Sequence, residues 1–231
     1  MPPMPAARTD DASARRRARA LRLAGLYAIT PDLENTEDLA ARVAAALAGG
    51  AGAIQYRNKA ADARLKRTQA LVLARVQALR GGLLIVNDDA TLAVETGADG
   101  VHIGADDGAI DAAREIVGPN RIVGVSCYND LSLAQAAVSA GADYVAFGSF
   151  FPSKVKPDAR RADVELLGSA RALGVPIVAI GGITAANAPA LIRAGASAVA
   201  VITAVFDAPD VEAAARAIAC ALPVSSISYA P

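Results

Sequence analysis

The chain alternates short aliphatic runs with Ala-rich stretches whose apolar positions recur at helical spacing. The first run, Gly25 to Thr30, is broken by Pro31. A phrase then repeats: Gly50-Ala51-Gly52-Ala53-Ile54, Gly97-Ala98-Asp99-Gly100-Val101, Gly141-Ala142-Asp143-Tyr144-Val145 and Gly195-Ala196-Ser197-Ala198-Val199. Each copy follows a helical stretch and opens a strand, with its glycine placed to end the helix in the left-handed conformation. One further run lies in each gap, at Leu83–Val86, Ile122–Ser126 and Pro176–Ile180. Eight strands, each followed by a helix and joined by right-handed crossovers, predict an α/β fold: a single-domain TIM (β/α)8 barrel over residues 23–222. An open doubly wound sheet is the alternative, and it explains neither the count nor the repeat.

The ends read differently. Residues 1–22 are expected to form a basic extension, disordered to about residue 12 and helical from a Ser13 cap to about Leu23. Thr36 is expected to cap the helix after the first strand, with Glu37 and Asp38 in its first turn. The last helix should cover Val211 to Leu222, leaving residues 223–231 as a polar tail.

Composition narrows the class. A length of 231 residues suits one such barrel, and 54% hydrophobic residues with no Trp predict an aliphatic core of the kind a doubly covered parallel sheet needs. Lys+Arg and Asp+Glu balance at 23 each, so no overall field favours nucleic acid or membrane lipid. The Arg15-Arg16-Arg17 run is read as a solvated face. Cys127 and Cys220 suggest neither a disulfide framework nor a zinc site. No apolar run has the length of a membrane span, and the first residues lack a secretory apolar region. The expectation is a cytoplasmic, soluble protein acting on small molecules, for which a homo-oligomeric state is equally compatible.

Chemistry in this fold gathers where strands end. Asn87 and Asp88 follow the third strand, and His102 and then Asp107 follow the fourth, so two carboxylates can converge on one cation such as Mg²⁺. For either acid alone, capping of the next helix is the competing explanation. After the second strand, alternation puts Gln55, Arg57 and Lys59 on one side of Gln55-Tyr56-Arg57-Asn58-Lys59. Ser126 ends the fifth strand, and the sixth leads to Phe151-Pro152-Ser153-Lys154-Val155-Lys156, with two more cations. The seventh and eighth end in Gly181-Gly182 and Ile202-Thr203, the loop pair that commonly binds phosphate through backbone N–H groups. The mouth thus offers two phosphate environments, one of backbone donors and one of cations with a metal. No Ser-His-Asp or Cys-His nucleophile pair is evident. His102, the only histidine, is read equally well as a packed barrel residue or a ligand contact.

Taken together, Gln55-Tyr-Arg-Asn-Lys59, Asn87-Asp88, Gly100-Val-His-Ile-Gly104 with Asp107, Gly124-Val-Ser126, Gly141-Ala-Asp-Tyr144, Phe151-Pro-Ser-Lys-Val-Lys156, Ile180-Gly-Gly-Ile183 and Ile202-Thr-Ala204 resemble the thiamine-phosphate synthase family over residues 25–222. The resemblance implies a transferase that joins a pyrimidine diphosphate to a thiazole phosphate and releases pyrophosphate with Mg²⁺. It implies that Gln55, Tyr56, Arg57, Asn58, Lys59 and Asn87 bind the diphosphate substrate and that Asp88 and Asp107 hold the metal. Ser126 and Lys156 would contact the leaving pyrophosphate; Ser153, Gly182, Ile202 and Thr203 would seat the thiazole phosphate. Tyr27, His102, Lys154 and Val155 complete the implied substrate-binding set, within which Arg57, Lys59, Ser126 and Lys156 are the catalytic members. Ala105, Val155 and Thr203 stand where the family more often has Gln, Thr and Ser. Two rivals share the barrel: a thiazole tautomerase, which resembles this chain less because Cys127-Tyr128 occupies the region of its histidine, and a non-catalytic phosphate-binding regulator.

Overall fold

The computed structural model describes residues 7–104, 110–152 and 161–223. Eight parallel strands close into a barrel in sequence order: β1 Gly25–Ile29, β2 Ala51–Tyr56, β3 Leu83–Asn87, β4 Gly100–Ile103, β5 Ile122–Ser126, β6 Tyr144–Gly148, β7 Ile177–Ile180 and β8 Ala198–Val201. The predicted strand count and closure hold. The four repeated glycines all take positive φ, from 73° at Gly97 to 127° at Gly195, so the phrase does mark the turn from helix into strand.

Helices cover the outside: α2 Thr36–Ala48, α3 Ala63–Arg80, α4 Ala90–Glu95, α5 Ile110–Val117, α6 Leu131–Ser139, α7 Glu165–Ala170 and α8 Ala188–Ala194. After β8 a four-residue helix, α9 (Thr203–Phe206), precedes α10 (Val211–Ala221). Asn35, rather than Thr36, caps α2, its side chain accepting from Asp38 N at 2.9 Å. Two adjacent residues were competent to cap, and the asparagine takes the role.

Two hydrophobic layers follow from strand alternation. Outward residues such as Ile54, Val86, Val101, Val145 and Val199 pack under the helices. Inward residues, among them Tyr27, Ile29, Ile85, Ile122, Tyr144, Ala146, Val178 and Ala200, fill the barrel. Register brings Gln55 beside Ile85, Asn87 beside His102, His102 beside Gly124 and Ser126 beside Ala146, so these polar residues ride on the inward face towards the mouth.

The N-terminal stretch departs from expectation. A helix, α1, runs Ala7–Ala20, so residues 7–12 are helical and Ser13 lies inside the helix; the disorder expected for the first residues lies outside the described residues up to residue 6. Nor is the arginine run simply a solvated face. Arg16 donates through Nε to Asp143 at 2.7 Å, Arg19 donates to Asn120 O at 2.9 Å, and Ala20 and Leu23 join the inward core. The helix therefore docks beneath the barrel, at the end opposite the mouth. Residues 224–231, the greater part of the expected tail, are outside the described residues.

Candidate active site

The mouth is built at the carboxyl ends of β1 to β5 on one flank and β6 to β8 on the other. Thr30, just past β1, fixes the loop after β2: its hydroxyl donates to Arg57 O and accepts from Arg57 N, both at 2.8 Å. Asp32 then accepts from Lys59 N at 2.9 Å and from the Arg57 guanidinium at 3.2 Å. Arg57 and Lys59 are thus aimed by two residues that sequence reasoning missed. The missing signal is long-range, since a Thr and an Asp near a strand end and a Pro carry no mark of a partner 25 or 27 positions away.

The loop's other two residues turn away. The Tyr56 hydroxyl donates to Gln69 Oε1 at 2.9 Å, and Asn58 Nδ2 donates to Leu33 O and Gln69 Oε1 at 2.8 and 3.0 Å. Asn58 Oδ1 accepts from Ala61 N. Both side chains were expected at the substrate; the structure commits their polar atoms to locking the loop onto α3. Alternation explains the outcome, because Tyr56 is the outward neighbour of inward Gln55.

At the end of β3, Asp88 N donates to His102 O at 2.8 Å, and Asp88 takes a positive φ of 64°. An aspartate tolerates that conformation better than most residues. The helix cap is Asp89, which accepts from Leu92 N at 2.8 Å, so capping does not explain Asp88. The Asp88 carboxylate instead stands 3.6 Å from Lys59 Nζ, with about a third of its side chain exposed. Asp107, its expected partner on the metal, lies outside the described residues, as do Ala105, Ser153, Lys154, Val155 and Lys156. Among the described residues no group of three or more His, Cys, Asp or Glu forms a protein-only metal cage. The described donors nevertheless fit Mg²⁺, which keeps several waters and takes one or two carboxylates plus substrate phosphate. An exposed carboxylate on a fixed backbone, beside cations suited to the same phosphate, is that kind of site.

Below the mouth a polar string crosses the barrel. Gln55 Nε2 donates to the Tyr27 hydroxyl at 3.0 Å, which lies 3.0 Å from the Tyr144 hydroxyl. Tyr144 lies 2.8 Å from His102 Nδ1, and His102 Nε2 lies 2.9 Å from Ser126 Oγ. The Tyr144 ring stacks on His102, with centroids 5.4 Å apart and planes at 25°. Tyr27 is 1% exposed and Gln55 4%, while Ser126 at the end of the string is half-buried and reaches the mouth. Burial raises the Tyr27 and Tyr144 pKa values well above the ordinary tyrosine range, so both hydroxyls keep their protons. His102 is therefore a packed barrel residue whose second nitrogen faces a residue of the mouth.

On the other flank, β6 and β7 are stitched together beyond their ends. Phe150 N donates to Ile180 O at 3.2 Å and Phe151 N to Gly181 O at 3.0 Å. Gly182 has φ 62°, and a Cβ there would run into the backbone of Phe151 and Pro152, so the close approach requires glycine. Ile202 is the N-cap of α9 and Thr203 its first residue, and no side chain caps that helix. First-turn N–H groups of a helix lack internal partners, so Thr203 and its neighbours present donors beside the Gly181-Gly182 turn.

An aliphatic barrel with cations and an acid on one flank of its mouth, and free backbone donors on the other, defines an enzyme class that handles phosphorylated small molecules. Comparison with known proteins sharpens this. Residues 26–205 match the family model described as thiamine monophosphate synthase. A thiamine-phosphate synthase of Thiobacillus denitrificans is 58% identical over 192 residues, 83% of this chain and 91% of the relative. One from Methylobacillus flagellatus is 57% identical, covering 83% and 92%. Among solved structures, thiamine phosphate pyrophosphorylase from Pyrococcus furiosus superposes with a TM-score of 0.78 at 36% identity, covering 88% of this chain and 96% of that one. The chain belongs to the thiamine monophosphate synthase family, whose members are transferases. The family match begins at Leu26, so α1 precedes it.

Proposed function

We propose that the chain, as a thiamine-phosphate synthase, condenses 4-amino-2-methyl-5-(diphosphooxymethyl)pyrimidine with a thiazole phosphate to give thiamine phosphate and pyrophosphate. What supports these substrates is the division of the mouth into two phosphate environments: Arg57, Lys59 and Asp88 at β2–β3, and the Gly182 turn with the uncapped start of α9 at β7–β8. The charged flank takes the diphosphate and the neutral flank the thiazole phosphate.

In this reaction the bond from the pyrimidine methylene carbon to the bridging diphosphate oxygen breaks, and its electron pair leaves with pyrophosphate. Arg57, held by Asp32, and Lys59 stabilise the negative charge that grows on that oxygen set, which is commonly the largest catalytic contribution. Ser126 donates its hydroxyl to the same anion, and Lys156 is assigned there as well. Mg²⁺, held by Asp88 and Asp107, would supply Lewis-acid neutralisation of the departing diphosphate. The pyrimidine amino group stabilises the cationic methylene, and the thiazole nitrogen supplies the electron pair for the new C–N bond.

Among the described residues no helix is long and apolar enough to cross a membrane. We assign the reaction to the cytoplasm, where the free thiols of Cys127 and Cys220 are at home. The test is direct: the purified chain is incubated with both substrates, with and without Mg²⁺, and thiamine phosphate is measured. Product that requires Mg²⁺ supports the reading; no product with both substrates and metal present refutes it.

A further inference from the structure

We infer that Gln55, Tyr27, Tyr144 and His102 form a one-way hydrogen-bond relay that aims the Ser126 hydroxyl hydrogen out of the barrel, towards the anion in the mouth. The inference rests on the proposed reaction for what that hydrogen meets. It stands on geometry alone for the direction of the relay.

The direction follows from counting hydrogens. The Gln55 amide nitrogen has hydrogens and no lone pair to offer, so towards Tyr27 it only donates, at 3.0 Å. The Tyr27 oxygen therefore accepts, and its single hydrogen goes to its other partner, the Tyr144 oxygen, at 3.0 Å. Tyr144 accepts that bond and is left one hydrogen, which it gives to His102 Nδ1 at 2.8 Å. An Nδ1 that accepts fixes the neutral ring as its Nε2–H tautomer. Nε2–H then donates to Ser126 Oγ at 2.9 Å, so the serine oxygen is an acceptor towards the histidine. Its own hydrogen is turned elsewhere, and the other side of this half-buried residue is the mouth.

A serine beside a histidine is readily taken for a nucleophile whose proton the imidazole removes. That arrangement requires the reverse polarity, with Nε2 as acceptor. Here the chain of donors starts at an amide buried on β2, passes two phenols that burial keeps protonated, and delivers a donor to the serine. Ser126 becomes a hydrogen-bond donor to anions, which is what a departing diphosphate needs and what a nucleophilic serine is not. Tyr27, Tyr144 and His102 are positioning residues in this scheme.

His102 is the only histidine in the chain, so its ring gives an unambiguous NMR probe. The full-length protein labelled with ¹⁵N-histidine is observed without substrate at a pH where the ring is neutral. One-bond and two-bond nitrogen–proton couplings tell which nitrogen carries the hydrogen. The expected result is Nε2–H; an Nδ1–H ring would overturn the relay, whether or not the protein makes thiamine phosphate. This readout needs no substitution, so a failure to fold cannot blur it, and it separates the relay from the proposed reaction.

A double-mutant cycle then tests the consequence. Tyr144→Phe removes the bond to Nδ1 and should lower single-turnover rate about tenfold, the low end for loss of a hydrogen bond to a charged group. In a Ser126→Ala background the same change should cost less than twofold, because there is no hydroxyl left to aim. Equal losses in the two backgrounds would show that Tyr144 supports the barrel only as packing.

Discussion

Lys59 Nζ stands 3.6 Å from the Asp88 carboxylate, joining the ends of the neighbouring strands β2 and β3 on one flank of the mouth. The two side chains are 61% and 32% exposed, so the pair itself is worth at most about 1 kcal/mol. Its importance follows from the proposed function, in which the carboxylate that faces Lys59 would also hold Mg²⁺. We predict that Lys59→Gln weakens binding of the pyrimidine diphosphate about tenfold or more, while raising affinity for Mg²⁺ alone by up to about fivefold. Asp88→Asn should lower turnover and raise the Mg²⁺ concentration required, with excess metal restoring part of the rate. Asparagine is the informative replacement because it accepts the positive φ that an alanine would strain. Calorimetric Mg²⁺ titration and rates measured across Mg²⁺ concentration check both signs. An unchanged metal dependence in Asp88→Asn would remove Asp88 from the metal site.

Much of this arrangement was legible in the chain. The repeated Gly-Ala phrase encodes a backbone requirement, positive φ at Gly50, Gly97, Gly141 and Gly195, and so marks the four even-numbered strands without any contact being known; the aliphatic runs before and between the copies supply the others. Period-two alternation likewise put Gln55 inside and Arg57 and Lys59 at the mouth. It also held the answer for Tyr56, whose outward position sends it to Gln69, away from the substrate side. What stayed hidden depends on partners distant in sequence. Tyr144 reads as one more apolar strand residue until Tyr27 and His102, 117 and 42 positions away, are placed against its hydroxyl. Arg16 reads as a solvated charge until Asp143 is found 127 positions on.

That last contact anchors α1. Asp143 accepts from Arg16 Nε at 2.7 Å, from the Arg114 guanidinium, and from Val123 N at 2.8 Å, with its side chain only 8% exposed. Removing the carboxylate takes the charged partner from two partly buried guanidinium groups, which keep backbone carbonyls such as Pro119 O and Arg121 O, and removes the acceptor of Val123 N. We predict that Asp143→Ala destabilises the fold by about 3–5 kcal/mol, the range for breaking one partner out of a buried pair. Arg16→Ala should cost only about 1–2 kcal/mol, since Asp143 then keeps Arg114 and Val123. Urea unfolding followed by circular dichroism measures both. A cost below about 1 kcal/mol for Asp143→Ala would mean that solvent screens the cluster.

Gly124 and Tyr144 are register partners on β5 and β6, and the tyrosine ring lies over the glycine. A Cβ on Gly124 would fall inside van der Waals contact with the ring and its hydroxyl, so glycine here provides space rather than backbone freedom. Gly124→Ala is expected to destabilise by about 1–3 kcal/mol, the usual cost of overpacking. The origin can be isolated, because in a Tyr144→Val background the ring is gone and the same change should be close to neutral. Equal costs in both backgrounds, by urea midpoint, would place the strain elsewhere.

Cys127 follows β5 and is fully buried, whereas Cys220 on α10 is exposed. Burial first, and the nearby Asp130 charge second, push the Cys127 thiol up to about 12. Only the thiolate reacts with alkylating agents. At pH 8 the native protein should therefore show one fast-reacting cysteine, Cys220, and a second only after unfolding in urea, counted by mass spectrometry. The same shift has a consequence for stability. An acid whose pKa is higher in the folded state favours folding while it is protonated in both states, and that contribution is lost as the unfolded form begins to ionise. For Cys127 the loss begins near the ordinary thiol value of about 9 and runs to about 12; for Tyr27 and Tyr144 it begins near 10. The urea midpoint should thus fall steadily from pH 8 to pH 11, and Cys127→Ala should flatten the first part of that fall. A midpoint that holds constant to pH 11 would show that these groups ionise as readily in the folded barrel as in the unfolded chain.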